Sequence, residues 1–216
     1  MTDARTVLVP PARVVRWFEN FEARHGPVYL SVDEGRIRAS AEDGAFAEAA
    51  LPFGRQYDGQ PEVAAFTEAA GAGDWGILLV RKGGFAVATV HGARIGTSKV
   101  GQRHVQGRTK AGGQSQQRFA RRRDNQARQA YEAAAEHAHR ILVLESGPLD
   151  ALVCGGDRSA VDAVLADPRL SRLSVVRTEP WLAVPDPRRA VLELAVIDGS
   201  SVRISVGLPD GLPSRR

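Results

Sequence analysis

Only one cysteine, Cys154, stands in the 216 residues, which excludes an internal disulfide framework and any zinc site built on several thiolates. It falls in the apolar run Ala151 to Cys154, where an inert buried thiol is expected. No stretch of eighteen apolar residues occurs, and the N-terminus lacks the basic-then-apolar order of a secretion signal. Neither a membrane span nor export is therefore expected, and the reading is of a soluble, cytoplasmic protein. Histidines are few and scattered at His25, His91, His104, His137 and His139, and no metal or other cofactor is expected. Lysine is scarce too: Lys82, Lys99 and Lys110 are all there is, so arginine carries nearly all the positive charge.

That charge is unevenly spread. The net value is only +4, but Arg103, Arg108, Lys110, Arg118, Arg121, Arg122, Arg123 and Arg128 stand in one segment against the single acid Asp124. Unopposed like charges repel one another, and such a segment points to an anionic partner such as nucleic acid.

Hydropathy patterning predicts two parts. Residues 1–72 read as a small N-terminal α/β appendage. Val14, Val15, Phe18 and Phe21 share a helical face within Ala12 to Arg24, and His25-Gly26-Pro27 closes that helix. Strands are expected at Val28 to Val32 and Arg36 to Ser40 around a hairpin turn at Asp33-Glu34-Gly35, then a loop over Leu51 to Pro61 and a helix over Glu62 to Ala70. Residues 73–216 form the main domain, introduced by Gly71-Ala72-Gly73. It opens with a meander of three antiparallel strands, Trp75 to Val80, Phe85 to His91 and Ala93 to Ser98. Further strands are expected at Ile141 to Leu144, Leu149 to Cys154, Leu173 to Arg177 and Ser201 to Val206, with a helix at Ser159 to Ala166 and mixed character over Ala190 to Ile197. The fold class is α/β, a mixed β-sheet flanked by helices.

Between the meander and the later strands the chain changes character. Residues 101–117 hold little apolar content and read as an exposed loop. A long basic helix is expected over 116–140, with Phe119, Ala127, Ala130, Ala134 and Ala138 on one face. At the loop's centre, adjacent glycines Gly112 and Gly113 let the backbone take angles closed to other residues and approach a ligand closely. They present the amide of Gln114. A glutamine is no base at neutral pH, so its work is geometric: the side chain can orient a water, and the backbone N–H can donate to developing negative charge. Ester hydrolysis suits that equipment. Arg108, Lys110, Arg118, Arg121, Arg122 and Arg123 are expected to contact RNA phosphate, with Thr97, Ser98 and Lys99 at the base of the loop.

The string Gly112-Gly113-Gln114-Ser115, followed by Arg118-Phe119-Ala120-Arg121, resembles the catalytic loop and basic helix of the eukaryotic and archaeal class-I translation termination factors. The compact chain around it resembles the VLRF family, release-factor-like peptidyl-tRNA hydrolases of ribosome quality control, in its actinobacterial branch. The resemblance implies a catalytic domain of ribonuclease-H-like outline. It also implies a partner in the large ribosomal subunit, with ribosomal RNA at the peptidyl transferase centre, and peptidyl-tRNA as substrate. Catalysis would rest on Gln114, with Gly112 and Gly113 shaping the tip, although Gln116 and Gln117 stand close by. No stop-codon reading is expected, since the N-terminal part is too short for a codon-reading domain, and a monomer is expected. Two other readings stand beside this one: cleavage of the tRNA strand near its 3′ end, and a non-catalytic ribosome- or RNA-binding module. Asp33, Asp150 and Asp157 lack the paired spacing of a two-metal nuclease, and Asp157 reads as a helix N-cap. Cys154-Gly155-Gly156-Asp157 lacks the lysine and hydroxyl of a P-loop and reads as a strand-to-helix turn.

Overall fold

Along Arg36–Ala41 polar and apolar residues alternate, and the alternation becomes a strand with one buried face. A computed structural model describes residues 5–82, 84–102 and 128–207. They form a mixed α/β fold with two five-stranded sheets flanked by helices, in two units. One unit holds the described residues up to Ala72 together with those from Ile197 on, and the other holds Gly73 to Val196.

The first sheet is antiparallel, in the order β1 (Arg5–Val9), β10 (Val202–Gly207), β4 (Phe46–Ala50), β3 (Arg36–Ala41), β2 (Val28–Asp33). Ile37 and Ala39 of β3, Ala47 and Ala49 of β4, and Val202 and Ile204 of β10 point into one core. Against it lies α1 (Val14–His25), whose buried Val14, Phe18 and Phe21 recur at helical spacing, and which ends at Gly26 with φ 85°. The expected start at Ala12 is instead a 3-10 turn over Pro11–Arg13. The hairpin between β2 and β3 has positive φ at both Glu34 and Gly35, 46° and 73°, the backbone of a two-residue type I′ turn. Helix α2 (Val63–Gly71) buries Phe66, whose ring meets Tyr57 edge-on, and Arg55 donates to the carbonyls of Ala70 and Ala72 at its C-terminal end.

The second sheet is mixed: β7 (Arg94–Gln102), β6 (Gly84–His91) and β5 (Asp74–Arg81) run antiparallel, and β8 (Ala151–Gly156) and β9 (Arg177–Leu182) continue parallel. Strands β5, β6 and β8 are almost continuously apolar, as strands covered on both faces must be. Helix α3 (residues 128–139) and α4 (Arg158–Leu165) pack on this sheet. The short α5 (Ser171–Val175) and α6 (Arg189–Gly199) complete the set, and within α6 the chain passes back into the first unit.

The structure corrects several expectations. Ile141 to Leu144 is not a strand; Arg140–Leu144 forms a π-helical turn that prolongs α3, because Ile141 and Leu142 continue the buried face set by Ala134 and Ala138. Glu145 N–H donates to the Arg140 carbonyl at 2.9 Å, the five-residue bond of that turn. Leu173 to Arg177 is mostly α5, and the strand falls later, on β9, whose Pro180 is tolerated because β9 is a sheet edge. Ala190 to Ile197 is wholly helical. The final strand, expected with residues 73–216, lies between β1 and β4 of the first sheet, where its Val202 and Ile204 find a core. Asp157 holds the N-cap position of α4 with extended backbone, but its carboxylate makes no capping bond.

Candidate functional site

The long linker expected to carry the chemistry leaves from β7 and rejoins at α3, so the site is built upward from those two elements. Gln114, Gly112 and Gly113, and likewise Arg108, Lys110, Arg118, Arg121, Arg122 and Arg123, lie outside the described residues. So do His104 and all of the 101–117 loop beyond Gln102, together with the 116–140 helix before Arg128. The frame around them is described.

Its centre is one aromatic ring. Gly101, near the end of β7, lies so close to Phe85 of β6 that a Cβ there would sit 2.3 Å from the ring's Cε1. Only glycine lets the strand pass at that distance. The Phe85 ring is buried and stacks on His137 of α3, with centroids 5.5 Å apart. The departing strand and the returning helix thus both lie against the Phe85 ring. His137 Nδ1 is buried with no hydrogen-bond partner, and burial, reinforced by Lys99 and Arg140, holds the imidazole below its ordinary pKa while Glu136 opposes the shift. The ring is therefore neutral near pH 7.

Ala134, Ala135 and Ala138 bring α3 against Leu78, Val80 and Val87 of the sheet, and small side chains allow the close approach. At the start of this helix Tyr131 feels the charge of Asp157, its hydroxyl pushed up first by burial and then by that carboxylate. The far end is tied down by Arg172, which donates to the carbonyls of Leu142 and Val143, and by the Ser146 hydroxyl on the Leu142 carbonyl at 2.8 Å. Arg169 links α3 to the segment before α5 through Glu136 at 2.7 Å and Asp167 at 2.8 Å. At the loop base, Ser98 accepts from Arg189 of α6 at 3.0 Å, and Arg189 also pairs with Glu193 at 2.8 Å.

The turn from β8 to α4 has the expected strand-to-helix form. A Cβ on Gly156, at φ 94°, would meet the Val80 carbonyl oxygen at 2.3 Å, and one on Gly155 the Leu182 oxygen at 2.6 Å. These glycines serve close strand packing. Cys154 is buried, and burial pushes its thiol up to about 12, which leaves it unreactive. Asp150 and Asp157 flank opposite ends of β8, and among the described residues no group of three or more His, Cys, Asp or Glu side chains can hold a metal ion. Asp74 and His91 hydrogen-bond at the other end of the sheet, beside a cavity of about 250 Å³ lined in part by Thr89, Glu145 and Ser146. Among the described residues no helix is long and apolar enough to cross a membrane.

The Gly101–Phe85–His137 arrangement is not legible from spacing, since Gly101 reads as the first loop residue and nothing in the order of residues pairs it with a ring sixteen positions earlier. The same holds for Arg158, whose guanidinium lies over Trp181 of β9 at 4.4 Å from the centroid.

Comparison with known proteins relates this sequence to translation release factors. An 84-residue stretch, 38% of this chain and 20% of the relative, is 32% identical to peptide chain release factor subunit 1 of Pyrococcus abyssi. The corresponding protein of Thermococcus kodakarensis is 31% identical over the same length. The match therefore spans about a fifth of the length of these curated relatives. Among solved structures, the archaeal translation termination factor aRF1 aligns at a TM-score of 0.38 with 13% identity, over 92% of this chain and 65% of that one. Pelota of Archaeoglobus fulgidus aligns at 0.32 with 12% identity, over 92% and 64%. The model of one family, described as Actinobacteria/chloroflexi VLRF1 release factor, matches residues 73–205, which is more than half of the sequence. The chain belongs to that release-factor family, which is related to the translation termination factors.

Proposed function

We propose that this protein is a peptidyl-tRNA hydrolase that frees nascent chains from stalled large ribosomal subunits without reading a stop codon. The observation that carries the reading is the string Gly112-Gly113-Gln114-Ser115 with Arg118-Phe119-Ala120-Arg121 in a chain of the VLRF1 release-factor family. The bond to be cut joins the peptide carbonyl to a ribose oxygen of the terminal adenosine, an activated ester that needs a placed water and a stabilised leaving oxygen. Gln114 supplies both through its neutral amide and its backbone N–H, and Gly112 and Gly113 let it come close. Arg108, Lys110, Arg118, Arg121, Arg122 and Arg123 hold ribosomal RNA or tRNA phosphates around it, in the cytoplasm. The packing of Gly101 of β7 and His137 of α3 on Phe85 supports this reading, because it ties together the described elements on either side of the segment.

The test is release from purified stalled complexes, resolved as free tRNA against peptidyl-tRNA. Gln114→Ala should slow release about a hundredfold or more, the loss of about 3 kcal/mol that follows removal of one preorganised donor, while leaving binding intact. Undiminished release by the variant overturns the proposal. Nucleotides left on the released peptide, read by mass, would show strand scission in place of ester hydrolysis.

A further inference from the structure

Across the second sheet two adjacent rungs join the strand ends nearest to Gln102. Gly84 of β6 pairs with both Gln102 of β7 and Arg81 of β5, and Val80 of β5 pairs with Gly156 of β8. Three strand spacings separate the end of β8 from Gln102, about 14 Å. At this end of the sheet the chain carries cations that the basic segment does not account for. Lys82 is exposed in the turn after β5, and Arg158 is exposed at the start of α4.

Trp181 is flanked by two guanidiniums, Arg158 at 4.4 Å and Arg177 at 5.4 Å from its centroid. The two differ in what they do with their charge. Arg177 pairs with Asp162 at 2.8 Å, whereas Arg158 has no carboxylate within ion-pair distance among the described residues. Arg81, beside them, donates to the Val184 carbonyl and lies 3.6 Å from Asp186. A guanidinium resting on an indole is held without using its N–H edge, and that edge can then take two phosphate oxygens at once. Fixing it beforehand also lowers the side-chain entropy lost on contact.

We infer that Arg158, steadied by Trp181, and Lys82 in the neighbouring turn form a second phosphate-contacting patch, which grips the backbone of an RNA strand alongside the one approached by the basic segment. The inference rests on the peptidyl-tRNA hydrolase reading for its partner and deepens it by adding residues outside the segment from Arg103 to Arg128.

The full chain and large subunits carrying peptidyl-tRNA test it, by half-saturation for release and by equilibrium binding over a range of salt. The Arg158→Gln, Lys82→Gln double variant should bind about tenfold more weakly near physiological salt, with the log–log salt slope shallower by between one and two and the maximal release rate unchanged. Arg158→Lys should keep the slope and lose part of the affinity. In a Trp181→Leu background that keeps the wild-type melting temperature, Arg158→Gln should weaken binding less than it does alone. If affinity and slope are the same in the double variant as in the wild type, the patch does not exist. The two readings fail separately: release that depends on Gln114 with affinity indifferent to Arg158 and Lys82 sinks this inference alone, while weakened binding with no release in the wild type sinks the hydrolase reading and leaves the patch standing.

Discussion

Phe85 joins two single residues that a substitution can probe directly. Adding one methyl group at Gly101 puts a carbon 2.3 Å from the Phe85 Cε1 and 2.6 Å from its Cζ, and the buried ring has little room to withdraw. Overpacking of this kind costs about 1–3 kcal/mol. Gly101→Ala should therefore lower the melting temperature and slow release, and adding Phe85→Leu should recover part of the loss, a coupling that thermal melts of the two singles and the double will reveal. On the other side of the contact, His137 has its folded pKa held below the unfolded value near 6.5. Between those two values the unfolded chain binds more protons, so stability is full above the unfolded pKa and declines as pH falls below it. Melting temperatures from pH 7 to pH 5 should fall more steeply in the wild type than in His137→Phe, which has no imidazole to charge.

At the scale of elements, the prolonged helix made of α3 and its π-turn is the part that sequence patterning cut short. The run Ile-Leu-Val-Leu at 141–144 has the β-branched and apolar content of a buried strand, and periodicity alone does not separate the two over four residues. The helix wins because its last carbonyls, on Leu142 and Val143, are met by Arg172 from far along the chain, and the Leu142 carbonyl also by the nearby Ser146 hydroxyl. Charge-assisted bonds to such carbonyls contribute about 1.5–3 kcal/mol. Arg172→Ala should accordingly lower stability by about 1–2 kcal/mol in denaturant melts, since water replaces part of the contact at this half-exposed end. Strand β4 shows the reverse case. Phe-Ala-Glu-Ala-Ala has helix-favouring composition, yet Phe46–Ala50 is a strand because β3 and β10 pair with it on both sides and Ala47 and Ala49 fit the space beneath α1 and α2.

For the whole molecule the decisive strand is the last one. β10 sits between β1 and β4, so the first unit is completed by residues that follow the second unit in the chain. Deleting residues from Ser201 onward removes the buried Val202 and Ile204, each contributing about 1.5–3 kcal/mol through burial, and leaves β1 without its partner. Hydrogen exchange should then report loss of protection in β1, β3 and β4, with β5, β6 and β8 retaining theirs. Equal protection in both sheets after the deletion would show that β10 is dispensable.

Much of this was determined locally. The Glu34-Gly35 turn, the helix stop at Gly26, the meander of β5, β6 and β7, the inert Cys154 and the concentration of charge with Gly112, Gly113 and Gln114 are all properties of neighbours in sequence: backbone freedom, side-chain period and like-charge density. Tertiary structure alone decided which sheet receives β10, that residues 140–144 stay helical, and that Gly101, Phe85 and His137 meet. Those outcomes depend on contacts between residues far apart along the chain, where the free energy of burying one surface against another outweighs the preference of either segment by itself.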